Sequence, residues 1–238
     1  MQFGIIAAGE GSRLLQEGLE KPKPLIEIDG EPMIERLIRI FMKSGARSVY
    51  IVVNDRMPEV KDYLNELKDR LPIELEIKIK STPSSMHTFH ELTRLFPEND
   101  KFVVTTVDTI FREEKFHNYV AAFESMAPEE GGLMGVTDYI EDEKPLYVET
   151  DDELNLLGFS DSPRSGCNYI SGGIYGLDGR AVGILEECIG RGMERMRNFQ
   201  RELISSGLPL KAYPMGKIID VDHIDDIKRA EEMTGAAN

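Results

Sequence analysis

The residues best placed to do chemistry stand near the start of the chain. Ala8-Gly9-Glu10-Gly11-Ser12 follows a short apolar run, Arg13 comes next, and Lys23 is set between Pro22 and Pro24. Closely spaced backbone N–H groups at Gly9, Glu10, Gly11 and Ser12, with little side-chain bulk, let a polyphosphate approach the main chain. Arg13 and Lys23 bring positive charge to it. The competing reading is a surface turn leading into a proline-rich linker. Two common phosphate loops fail on this stretch. A P-loop closes with Gly-Lys-Ser/Thr, and no such tripeptide follows Gly11. A dinucleotide fingerprint needs a third glycine where this chain has Leu14, which removes an NAD-binding oxidoreductase.

Two acidic positions complete the set. The apolar run 102–107 ends in Asp108-Thr109, and Ile218-Ile219-Asp220-Val221-Asp222 again carries acids out of an apolar run. Ligands of open α/β sheets lie beyond the carboxyl ends of strands, so Asp108 falls on the edge where the first strand ends at Ala8. Magnesium takes hard oxygen ligands, one or two of them carboxylates, and Asp108 suits that role; its plainer role is a strand-ending turn. Strand alternation places Asp220 and Asp222 on one face and does not choose between them as a second carboxylate; Asp222 is preferred as the nearer to the strand end, with Asp220 its alternative.

These residues have to be positioned by alternating strands and helices, the pattern of parallel βαβ units. Runs 3–8, 48–53, 73–79 and 102–107 read as strands. Met33, Ile34, Leu37, Ile38, Phe41 and Met42 recur at helical spacing after Pro32. Ser84 reads as the N-cap of a helix carrying Met86, Phe89 and Leu92. After Phe111 come a helix to about residue 126 and short strands at 133–137, 146–149 and 169–175. Helices at 180–189 and 198–206, strands near 210 and 218, and a helix from about 224 close the chain.

The stretches Ala8-Gly9-Glu10-Gly11-Ser12-Arg13-Leu14, Lys23-Pro24-Leu25-Ile26 and Asp29-Gly30-Glu31-Pro32-Met33-Ile34 resemble, in that order, the N-terminal signature of the sugar-1-phosphate nucleotidyltransferases. The resemblance implies an α/β fold with a Rossmann-like, mixed and mainly parallel sheet, helices on both faces and a small inserted acceptor lobe. It implies one domain over 1–238, with a nucleotide-binding part at 1–130, the acceptor lobe at about 131–215 and a closing strand and helix at 216–238. It also implies the reaction: a sugar 1-phosphate attacks the α-phosphorus of a nucleoside triphosphate and pyrophosphate leaves. Catalysis would fall to Arg13, Lys23 and Asp108, with Mg²⁺ on Asp108 and an acidic residue of the Asp220–Asp222 stretch. Nucleotide contacts would come from Ala8, Gly9, Gly11, Ser12, Arg13 and Lys23, and from Thr82 and Ser85 near the base. An attacking phosphate is already largely ionised near neutral pH, so no Ser-His-Asp or Cys-His arrangement is needed, and no convincing one is present.

The acceptor side resembles the family less closely. Ser171, Gly172 and Gly173, before Ile174-Tyr175, are similar to the strand that lies beside the sugar, although the two glycines fit a bulge or a close strand packing equally well. Many relatives carry Tyr-Gly where this chain has Pro145-Leu146, and Glu-Lys-Pro where it has Phe159-Ser160-Asp161. Other acceptors used on similar scaffolds are phosphocholine, an alditol phosphate and molybdopterin, with a cytidylyl or guanylyl donor. A non-catalytic nucleotide-sugar-binding subunit is the reading outside enzymes. The basic run 195–201 could reach an acceptor phosphate or cap a helix. His87 and His90 share a helical face without a third ligand, and Glu141-Asp142-Glu143 reads as a solvated turn.

With 238 residues and a formal net charge of −15, the chain can bury a sizeable core and would repel nucleic acid and anionic membranes. Anionic substrates must then be held against the overall field by local cations, which predicts magnesium dependence. No leader-like segment or apolar span is evident, and Cys167 and Cys188 lack metal or redox spacing, so a cytoplasmic location is expected. At this length the acyltransferase or hexapeptide-repeat domain appended in some relatives is not expected.

Overall fold

A computed structural model of the chain describes residues 1–97, 101–140 and 143–235. Strand β1 (Gln2–Ala7) runs into the short helix α1 (Ser12–Gln16) and a 3₁₀ turn at Lys23–Leu25. A small hairpin, β2 (Glu27–Ile28) and β3 (Glu31–Pro32), turns at Asp29-Gly30 with both residues at positive φ, the conformation that Asp-Gly favours. Helix α2 (Met33–Lys43) starts directly after Pro32 and buries Met33, Ile34, Leu37, Ile38 and Phe41. Then follow β4 (Ser48–Val53), α3 (Pro58–Arg70), β5 (Glu74–Ile79), α4 (Ser85–Thr93), β6 (Phe102–Thr106), β7 (Thr109–Ile110) and α5 (Glu113–Ser125). The remainder comprises β8 (Gly132–Thr137), β9 (Tyr147–Thr150), β10 (Leu156–Ser160), β11 (Tyr169–Leu177), α6 (Gly179–Gly190), α7 (Met196–Ser205), β12 (Leu210–Pro214), β13 (Ile219–Asp220) and α8 (Ile224–Gly235).

One nine-stranded sheet organises these elements, in the order β10-β9-β11-β6-β1-β4-β5, with β8 beside β11 and β12 beside β8. Strands β6, β1, β4 and β5 are parallel, which aligns the carboxyl ends of β1, β4 and β6 on one edge. Strand β11 runs antiparallel and forks, pairing with β6 through Ile174–Leu177 and with β9 through Tyr169 and Ile170. The expected α/β class with a mixed, mainly parallel sheet is therefore what folds. The strands expected in the acceptor lobe extend this same sheet, and β10, not foreseen in the sequence, forms its edge. Leu157 on β10 is exposed and Gly158 interrupts the apolar pattern, so the period-2 signal is weak there.

Apolar side chains cover both faces. On one, Phe3 and Ile5 of β1 pack with Ile34 and Phe41 of α2, Val60 of α3, Phe116 of α5 and Ala230 of α8. On the other, Val52, Phe102 and Tyr175 pack with Phe89 of α4, Leu185 of α6 and Phe199 of α7. Helices on both faces leave the carboxyl edge of the sheet as the open end.

Candidate active site

Lys23, Asp108, Asp222 and Arg13 meet at that edge. Val107 N–H donates to the Ile6 carbonyl (3.0 Å), so the chain stays paired with β1 one step beyond β6 and delivers Asp108 beside the first loop. The β7–β13 pair sets Asp220 opposite Thr109, and Val221 N–H donates to the Asp108 carbonyl (3.0 Å). Asp226, in the first turn of α8, accepts from the N–H groups of Asp222 (3.1 Å) and His223 (2.8 Å), a capping-box arrangement that fixes the backbone of Asp222.

Lys23 is 7 % exposed, in a turn bounded by Pro22 and Pro24. Gly11 lies against its stem at φ +62°, and a Cβ there would come within 3.0 Å of Lys23 Cβ, so Gly11 serves both the left-handed backbone and the close approach. The ammonium donates to Asp108 Oδ2 and to Asp222 Oδ1, the latter at 2.7 Å. Arg13 Nη1 donates to the other Asp222 oxygen, Oδ2, at 2.6 Å. Burial on its own would push Lys23 down, but the two carboxylates outweigh it and hold its pKa above the ordinary lysine value. Burial would likewise raise Asp108; the Lys23 charge and hydrogen bond outweigh that and hold it low.

Asp220 and Asp222 border common space, but their carboxylates take different partners. The strand stops at Asp220, and Asp222 N–H bonds back to the Asp220 carbonyl at 3.1 Å, so the period-2 alternation assumed from the sequence breaks there. Asp220 Oδ1 accepts from Thr109 Oγ1 (2.9 Å), which is bonded to Thr106 Oγ1 (2.6 Å). Asp222 joins Asp108 on Lys23.

Ala8, Gly9, Gly11, Ser12, Arg13, Lys23, Thr82, Ser85 and Asp108 all line one cleft of about 670 Å³. Ser84 caps α4 by accepting from His87 N–H (3.4 Å), and the Thr82 and Thr88 hydroxyls bond to each other at 2.6 Å. Asn54, unforeseen in the sequence and 4 % exposed, ties the lips of this cleft together. Its Nδ2 donates to the Ala8 carbonyl (3.1 Å), and its Oδ1 accepts from Ser81 Oγ (2.6 Å) and Arg56 N–H (2.9 Å). The available signal was an Asn directly after the β-branched run of β4, at the same carboxyl edge.

Ser171, Gly172 and Gly173 lie outside that cleft, in a bulge of β11. The pairing with β8 jumps from Ser171–Val136 to Ile174–Gly135, which leaves both glycines unpaired with that strand. The packing is also close: Gly173 sits at φ +69°, and a Cβ would come within 2.7 Å of Thr109 Oγ1. Ser171 and Gly173 line a second cleft of about 970 Å³ with Lys144, Pro145, Arg195, Arg197 and Gln200; Gly172 lines a smaller space behind it. Asp108, Asp222, Ser84, Ser85 and Thr106 border both large clefts, so the two meet at the carboxylate pair. Of the basic run, Arg197 and Arg201 hold Asp161 at 2.5 and 2.7 Å, and Arg195 is the N-cap residue of α7. Ser171 Oγ donates to the buried Gln200 Oε1 (2.8 Å), a second residue the sequence did not single out.

His87 Nδ1 bonds to Ser84 Oγ (2.9 Å), and among the described residues no three His, Cys, Asp or Glu side chains are grouped to hold a metal ion. Glu141 and Asp142 lie outside the described residues; Glu143 stands 3.6 Å from Arg13 Nη2. Among the described residues no helix is long and apolar enough to cross a membrane.

Residues 4–147, more than half of the chain, match the family described as the MobA-like NTP transferase domain. The chain belongs to that family. The nucleotidyltransferase membership expected from the N-terminal signature is thereby borne out. The chain is 28 % identical over 210 residues to the bifunctional protein GlmU of Methanococcus maripaludis, covering 85 % of this chain and 47 % of the relative. It is 28 % identical over 178 residues to the mannose-1-phosphate guanylyltransferase catalytic subunit beta of Dictyostelium discoideum, covering 74 % and 49 %. The chain thus spans about half the length of these curated relatives. Its fold superposes on a putative glucose-1-phosphate thymidylyltransferase from Bacillus anthracis with a TM-score of 0.85 at 19 % identity, covering 100 % of this chain and 96 % of the other. The inositol-1-phosphate CTP transferase from T. maritima gives 0.80 at 16 % identity, covering 98 % and 95 %.

Proposed function

We propose that the protein is a magnesium-dependent nucleotidyltransferase that joins a nucleoside triphosphate to a sugar 1-phosphate, giving a nucleotide sugar and pyrophosphate. The observation that carries this reading is the meeting of two clefts at Asp108 and Asp222, one lined by the Gly9–Arg13 loop and the other by the β11 bulge. A donor phosphate in the first and an acceptor phosphate in the second would face each other at the carboxylates. An ionised acceptor phosphate needs no base, so the work left to the chain is alignment and charge stabilisation. Loop amides from Gly9 to Ser12 hold the triphosphate, Arg13 faces the departing pyrophosphate, and Lys23 serves the oxygens shared by donor and acceptor. Thr82 and Ser85 lie where the base would rest. Ser171, Gly172 and Gly173 would border the acceptor.

The donor set suits magnesium. Asp108 and Asp222 converge on one cation, the Lys23 ammonium, and such a pair supplies the one or two carboxylates that magnesium takes while leaving its other positions to phosphate and water. Held by Asp108 and Asp222, the ion would neutralise charge on the phosphates. Asp220, engaged by Thr109, has the lesser claim.

The family match ends at residue 147, at the start of β9 and before all of β10, β11 and α7, so the sugar class rests on the relatives and the second cleft rather than on that match. The test is pyrophosphate release from each nucleoside triphosphate with a panel of sugar 1-phosphates, phosphocholine and alditol phosphates. Release with a sugar 1-phosphate, abolished by chelation and restored by magnesium, is expected. Release only with another acceptor would replace the sugar; nucleotide binding without any release would favour a non-catalytic subunit.

A further inference from the structure

The Lys23 ammonium lines the nucleotide cleft, yet its hydrogen bonds go to Asp108 and Asp222. With Arg13 on Asp222 Oδ2, both oxygens of Asp222 and one of Asp108 are held by side-chain cations. A divalent ion needs these oxygens at about 2.0–2.1 Å, the space the ammonium takes, and a dication beside an ammonium is strongly repelled in a buried site. We propose that Lys23 competes with the divalent cation for Asp108 and Asp222, so that the free protein takes up magnesium poorly and the metal enters together with a triphosphate, whose oxygens draw the ammonium away.

The construction of the turn permits that exchange. Pro22, Pro24 and Gly11 fix the backbone and the base of the Lys23 side chain, while its flexible four-carbon stem would let the head turn from the carboxylates to phosphate oxygens bound in the same cleft. Losing Lys23 would leave two carboxylates facing each other beside Arg13, a pair that a divalent cation relieves. The inference rests on the magnesium-nucleotidyltransferase reading, but its tests use no turnover, so a chain that releases no pyrophosphate still answers them.

Mn²⁺ binding to the nucleotide-free protein is followed by loss of the free-ion EPR signal. The unsubstituted protein is expected to show no saturable site tighter than about 1 mM, and Lys23→Met one site at least about tenfold tighter that is lost in Lys23→Met/Asp108→Asn. A site tighter than about 0.1 mM in the unsubstituted protein that Asp108→Asn removes would overturn the proposal, as would a folded Lys23→Met that binds no better. Should Lys23→Met fail to fold, ammonium NMR of the unsubstituted protein decides, with the Lys23 signal assigned through Lys23→Arg. Magnesium alone should leave that signal in place, and magnesium with inorganic tripolyphosphate should shift it; a shift with magnesium alone sinks the idea.

Discussion

Lys23 and Asp222 stand 199 positions apart in the chain and 2.7 Å apart in space. Through this pair the turn after the first loop and the segment that enters the last helix close on one another, with Asp108 from the middle of the chain as the third member. Assembly of the site is therefore bound to completion of the fold.

Lys23→Ala should abolish pyrophosphate release, by about a hundredfold or more, since it removes the one buried cation between the carboxylates. Stability should fall by about 1–3 kcal/mol, less than for a fully buried pair because Asp222 is partly exposed. Full activity in the variant would refute the role assigned to Lys23, and a thermal melt run alongside separates the two effects.

Asn54→Asp keeps the size of the side chain and loses the donor to the Ala8 carbonyl. Repulsion between carboxylate and carbonyl should loosen the first loop, raising the KM for the triphosphate about tenfold with a smaller change in kcat. A KM within about twofold of the unsubstituted protein would show that the loop holds without this tie.

Gly173→Ala places a Cβ where φ is +69° and Thr109 Oγ1 lies 2.7 Å away. A loss of about 1–3 kcal/mol is expected in denaturant unfolding, together with weaker use of the acceptor and little change toward the triphosphate. Equal damage to both substrates would mean that the bulge supports the whole carboxyl edge.

Acid should weaken the tie between α4 and β5. Glu91 bonds to Lys78 (2.6 Å) and Lys80 (2.7 Å); burial would raise its pKa, but the two ammoniums hold it down to about 2. A carboxylate depressed on folding adds stability above its unfolded pKa, and that stability is lost as pH falls from the ordinary glutamate value of 4.5 toward about 2. After allowance for the half-exposed Lys80, the contribution is about 1–2 kcal/mol. Unfolding of Glu91→Gln beside the parent protein should show that gap near pH 7 and its closure near pH 2; a gap independent of pH would assign it to packing.

Local chemistry along the chain is enough to announce much of this protein. Pro32 and the apolar spacing of α2, the β-branched run of β4, the Asp-Gly turn and the loop from Ala8 to Arg13 each act over a few residues, so period and turn type expose them. The same holds for Asp108, an acid at the end of an apolar strand. What local pattern could not decide was which distant groups would share a space. Which of Asp220 and Asp222 reaches Lys23 turned on where β13 stops and on the Asp226 cap, and the role of Asn54 on three segments meeting at one amide. Gly172 and Gly173 form a bulge where β11 passes from β6 to β9 on one edge while keeping β8 on the other. Each of these depends on contacts between residues far apart in the chain, whose energies no short window contains.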